Sequence, residues 1–85
     1  MRPKKLLERL TAGALQNVRF EDLVVLLEEL NFRIDRVRGS HFVFVHPRIP
    51  APLPLQPIYG QAKPYQLRQV LRLVREYNLT EDESR

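Results

Sequence analysis

The chain contains no cysteine and no tryptophan. The first absence removes disulfides, thiolate nucleophiles and cysteine-ligated zinc together, and it fits a reducing compartment. Glycine occurs only three times in 85 residues, too scattered for a loop that cradles phosphate groups. Long apolar runs are also missing. Leu6, Leu7 and Leu10 follow the basic opening but are broken by Glu8 and Arg9, which is too polar for a signal peptide, and nothing approaches a membrane span. The expectation is a soluble, cytoplasmic protein with no membrane contact. Carboxylates are scarce in the middle of the chain, where Asp35 is the sole acid from position 33 to position 75.

What is present suits one small domain. Apolar residues make up 44%, enough for a core and too many for wholesale disorder. Fourteen basic and ten acidic residues leave a net charge of +4. The placement matters more than the sum. Acids gather at Glu21, Asp22, Glu28 and Glu29 and again at Glu81, Asp82 and Glu83, whereas Arg33, Arg36, Arg38, Arg48, Lys63, Arg68, Arg72 and Arg75 fill the middle. A segregated basic region favours a polyanionic partner, most simply nucleic acid. The alternative is an ordinary solvated surface.

Periodicity orders the elements. Pro3 suits the first turn of a short helix over residues 3–12, with Leu6, Leu7 and Leu10 as its stripe. Residues 14–19 read as a connector. Phe20, Leu23, Val24, Leu27 and Leu30 recur at helical spacing over residues 20–30, and Asn31 follows as a residue tolerant of the left-handed conformation that closes helices. Residues 32–37 form an imperfect strand, 38–40 a turn and 41–46 a clear strand rich in β-branched and aromatic residues. Period-2 geometry sends Phe42, Phe44 and His46 to one face and His41, Val43 and Val45 to the other. The bulkier pair belongs to the core, which leaves His41 on the open face. Residues 47–52 read as a loop and 53–59 as a third, edge or irregular strand, because Pro54 and Pro57 cannot donate ladder hydrogen bonds. Gly60-Gln61-Ala62 turns the chain into a final helix from Pro64 to about residue 77, and residues 80–85 form a polar tail. The order implies an α+β fold: an αβββα core like that of a double-stranded-RNA-binding domain, with an extra N-terminal helix.

Few residues are equipped for chemistry. His41 and His46 fall on opposite faces by strand parity and no nearby acid completes a metal site, so neither a metal nor another cofactor is expected. Ser40 and His41 are adjacent, a poor geometry for a nucleophile and its base, and no orienting acid is evident. His41 alone has a role in reach. A neutral imidazole can take a proton from a ribose 2′-hydroxyl, and an imidazolium can return one to a leaving oxygen. Gly39 allows the turn, the Ser40 hydroxyl can bond a phosphate oxygen, and Arg36, Arg38 and Lys63 can neutralise charge at phosphorus. Alternatively His41 simply begins a strand. His46 reads as a structural residue satisfied by the loop at Pro47, and Tyr59 and Tyr77 as core or rim aromatics. The stripe of Arg68, Arg72 and Arg75 fits an RNA track, a face for an acidic protein, or plain solvated surface equally well.

The run Gly39-Ser40-His41-Phe42-Val43-Phe44, preceded by an amphipathic helix and Asn31-Phe32, resembles the HicA family of small toxins from toxin–antitoxin pairs. Leu55-Gln56-Pro57 followed by Ala62-Lys63-Pro64-Tyr65-Gln66 resembles a longer branch of that family, one with an additional N-terminal helix. The resemblance spans residues 17–79, leaving 1–16 as a helical extension and 80–85 as the tail. It implies a double-stranded-RNA-binding-like fold and an mRNA interferase, an endoribonuclease that halts translation. It also implies catalysis by His41 and a HicB-type antitoxin that covers the active site. Where many members have Gly-Phe after the helix, this chain has Asn31-Phe32, and Lys63 is the lone cation in the approach to the last helix. The expectation is a metal-independent ribonuclease acting on mRNA. His41 is its catalytic group, and Arg36, Arg38, Gly39, Ser40 and Lys63 bind RNA. A non-catalytic RNA-binding module and a protein-interaction domain are the alternatives.

Overall fold

The helix over Phe20–Glu29 is the element around which the others pack. Its leucines at 23, 26 and 27 are fully buried, and Leu30 just beyond it is equally so. Asn31 closes it at φ 76°, the left-handed conformation expected there. The computed structural model describes residues 1–81. Over that range the elements are α1 (Pro3–Thr11), β1 (Val18–Arg19), α2 (Phe20–Glu29), β2 (Arg33–Arg38), β3 (His41–His46), β4 (Ile49–Leu55), β5 (Gln61–Ala62) and α3 (Pro64–Glu76).

Strands β2, β3 and β4 form an antiparallel meander with β3 in the centre. One face carries Phe44, Leu53 and Leu55 into a core shared with Leu23, Leu26 and Leu27 of α2 and Leu67, Val70 and Leu71 of α3. The rings of Phe20 and Phe42, 5.2 Å apart, fasten the start of α2 to the start of β3. Leu6 and Leu10 of α1 join the same core, so the N-terminal helix packs on the domain. The architecture is α+β, three helices with a three-stranded antiparallel sheet, compatible with the double-stranded-RNA-binding-like fold and bearing the extra N-terminal helix.

Several boundaries differ from the sequence reading. The loop expected over 47–52 shrinks to Pro47 and Arg48, and the third strand runs over Ile49–Leu55 in place of 53–59. Pro50, Pro52 and Pro54 stand at alternate positions of an edge strand. The register slips between Ile49 and Leu53, so Pro50 and Pro52 fall in an irregular stretch outside the paired positions, and Pro54, opposite Val43, stands on an edge strand that can spare a donor. The connector over 14–19 holds β1, which pairs with β5 through Val18↔Ala62 and Arg19↔Gln61. The turn at Gly60-Gln61-Ala62 is thus partly strand. A tight hairpin precedes β5, with Ile58 and Gln61 bridged around Tyr59 and Gly60. The end of the tail, residues 82–85, lies outside the described residues.

Candidate active site

The β2–β3 hairpin builds the site. Arg38 and His41 form its last pair, and Gly39 and Ser40 are the two turn residues. Gly39 sits at φ 58°, a conformation that costs glycine little and that a primed hairpin turn demands at its first central position. The chain can therefore reverse in two residues and deliver His41 as the first residue of the central strand.

Face assignment follows from the register. Directly opposed residues on neighbouring strands point the same way, with Cβ atoms about 5 Å apart. Phe42 pairs with Val37 and Phe44 with Ile34, on the helix side. His41 pairs with Arg38, Val43 with Arg36 and Val45 with Arg33, on the open side. Asp35 has no partner: the ladder steps from Ile34 to Arg36 while β3 advances by one residue. This β-bulge explains the imperfect alternation of the strand, because it brings Arg33 onto the same face as Arg36 and Arg38. All of β2 is exposed, and so is His41. The open face of the hairpin thus presents three guanidinium groups in a row with one imidazole at its end.

A second layer reaches the turn from β4 and α3. Gln56 follows the last residue of β4, and the Phe42↔Leu55 pair puts it across from His41. Its side-chain Nε2 donates to the Ser40 hydroxyl oxygen at 2.9 Å. Gln66, in the first turn of α3 and only 2% exposed, donates from Nε2 to the Gln56 carbonyl at 2.7 Å. Lys63 immediately precedes α3, and its carbonyl accepts from the backbone N–H of Gln66. Arg36, Arg38, Gly39, Ser40 and His41 therefore share one hairpin, whereas Lys63 stands on a separate element linked to it through Gln66 and Gln56. Arg33 stands out in the sequence only as one of the cations of the middle region. Gln56 and Gln66 are marked there only by the motif segments that contain them.

His46 does different work on the other face. It is 4% exposed, with Nε2 2.9 Å from the Leu30 carbonyl oxygen and Nδ1 accepting from the Arg48 backbone N–H at 3.1 Å. Those partners define the neutral ring with its proton on Nε2. The imidazole also meets Phe32 edge-on, with centroids 4.9 Å apart. Burial pulls its pKa below the usual histidine value, the Leu30 bond opposes that shift, and Arg48 adds to it. The ring joins the end of α2 to the end of β3, the structural role expected of it. Tyr77 packs half-buried against the core, whereas Tyr59 is 99% exposed and belongs to neither core nor rim. Arg68, Arg72 and Arg75 line an exposed face of α3, where Arg72 and Glu76 approach to 3.8 Å.

Among the described residues no group of three or more histidines, cysteines or carboxylates is placed to hold a metal ion, and no helix is long and apolar enough to cross a membrane. The family model for the HicA toxin of bacterial toxin-antitoxin systems matches residues 20–75, from the first residue of α2 almost to the end of α3. No curated protein and no solved structure matches the chain.

Proposed function

The chain belongs to the HicA family of toxins of bacterial toxin–antitoxin systems, and on that premise we propose that it is a metal-independent endoribonuclease with His41 as its catalytic group. Membership makes it a toxin with an antitoxin partner. The finer reading rests on one observation: an exposed imidazole heads the central strand on the face that also carries Arg33, Arg36 and Arg38.

The chemistry is economical. RNA carries its own nucleophile, the 2′-hydroxyl adjacent to each phosphodiester. A neutral His41 accepts the 2′-proton as the oxygen attacks phosphorus. The bond to the 5′-oxygen breaks, and a proton goes to that oxygen, leaving a 2′,3′-cyclic phosphate and a 5′-hydroxyl. The guanidinium groups of Arg36 and Arg38 and the ammonium of Lys63 counter the charge that builds on the non-bridging oxygens. The Gly39-Ser40 turn supplies N–H and O–H donors to the same phosphate. Cutting mRNA in this way halts translation. The antitoxin is a HicB-type protein that covers the arginine-bearing face and so blocks RNA.

The test is cleavage of a single-stranded RNA by the purified chain in EDTA. His41→Ala is expected to slow cutting by about 10²- to 10⁴-fold, the usual contribution of a positioned acid or base, with RNA affinity and melting temperature little changed. A wild-type chain that binds RNA and leaves it intact would instead be a binding module.

A further inference from the structure

The hydroxyl of Ser40 has a hydrogen-bond partner within the protein. Gln56 donates from Nε2 to Ser40 Oγ at 2.9 Å, which occupies an acceptor position on that oxygen. The serine proton must then point to some other acceptor. Ser40 is exposed and precedes His41, so the acceptor available to that proton is a group arriving from outside. Gln56 is itself held: Gln66 Nε2 donates to its backbone carbonyl at 2.7 Å from a buried position in α3. Two hydrogen bonds in series therefore tie the Ser40 turn to Gln56 and the backbone of Gln56 to α3.

We propose that Gln56, braced by Gln66, is a positioning residue that commits the Ser40 hydroxyl to donate to the scissile phosphate beside His41. This role rests on the ribonuclease reading above. A serine in an exposed two-residue turn otherwise samples several rotamers, and its hydroxyl rotates among solvent partners. Fixing it before substrate arrives removes that search from the reaction. The donor then meets charge that grows on the non-bridging oxygen as the 2′-oxygen attacks, so its effect falls on the chemical step more than on binding.

The experiment is a double-mutant cycle of Ser40→Ala and Gln56→Met, read as single-turnover cleavage of a ribo-oligonucleotide in EDTA. Each single variant is expected to lose about 10-fold in rate, equivalent to about 1.4 kcal/mol of transition-state stabilisation, with RNA affinity nearly unchanged. The double variant should be no slower than Ser40→Ala alone. Gln56→Glu keeps the size but cannot donate, and should be at least as slow as the methionine variant. Amide hydrogen exchange at Ser40 and His41 should quicken in Gln56→Met while the melting temperature holds, a readout independent of cutting. Additive losses, or a Gln56→Met protein that cuts at the wild-type rate, would overturn the proposal and leave the nuclease intact. A wild-type protein that fails to cut would overturn the parent reading, and the hydrogen-exchange arm would then report only on the stiffness of the turn.

Discussion

Arg33 and Arg36 point to the same face of the sheet although they stand three positions apart on one strand, because Asp35 between them has no partner on β3. In a regular strand that spacing would turn one of them toward the helices. The bulge extends the basic row from two residues to three, and it leaves Ile34 and Val37 together on the helix side.

The first prediction concerns that row. For single-stranded nucleic acid, each phosphate contact contributes about 0.7 to the slope of log affinity against log salt. Arg33→Gln, Arg36→Gln and Arg38→Gln should each weaken RNA binding and each flatten that slope by about one contact. Fluorescence anisotropy of a labelled oligonucleotide over a salt series measures both. A silent Arg33→Gln beside effective changes at 36 and 38 would mean that RNA does not follow the face past the bulge.

Much of this site was readable before the structure, and the reasons are local. Helices α2 and α3 repeat apolar residues at helical spacing; along β3, parity sets His41 opposite Phe42 and Phe44, and the bulk of that pair sends them to the core and leaves His41 on the open side. The failures also have physical causes. Prolines at 50, 52 and 54 look like breakers, yet an edge strand with a register slip between Ile49 and Leu53 accommodates them. Strands β1 and β5 have two residues each, too few for any period to show. The bulge appears in sequence only as a flaw in a pattern. The Gln56–Ser40 bond joins residues 16 positions apart, so no local rule finds it. Only the family resemblance of Leu55-Gln56-Pro57 marks that segment in the sequence.

His46 carries a pH-dependent prediction. Its pKa is lowered in the folded protein, chiefly by burial, against an unfolded value of about 6.5. Between those two values the unfolded chain binds more protons than the native one, so stability rises with pH there. The contribution is complete above about pH 6.5 and is lost as pH falls toward the folded value. Urea midpoints taken at pH 7.5 and pH 5.5 should drop on acidification more for wild type than for His46→Gln. That variant cannot titrate but can still donate to the Leu30 carbonyl. It should itself cost about 1–3 kcal/mol, from the unmade bond to the Arg48 N–H and the lost ring contact with Phe32. Equal acid sensitivity in the two proteins would show that some other group governs the slope.

Tyr59 carries the last prediction. It and Gly60 are the central residues of the Ile58–Gln61 hairpin, at φ 50° and 75°. Ile58 and Gln61 exchange both backbone bonds across it, at 2.9 and 3.0 Å. Positive φ at both positions is the type I′ pattern, for which Asn-Gly is the favoured pair. A tyrosine there holds a bulky side chain in the left-handed region, and its ring, 99% exposed, recovers no packing in return. Tyr59→Asn should therefore stabilise the fold by about 0.5–1 kcal/mol. At this chain length that raises the melting temperature by about 2–8 °C. Calorimetry of the two proteins measures it, and Tyr59→Ala separates the causes: it removes the ring but keeps the penalty for a Cβ, so it should gain much less than asparagine. An asparagine variant that melts below wild type would mean that the ring stabilises the hairpin through contacts its exposure does not reveal.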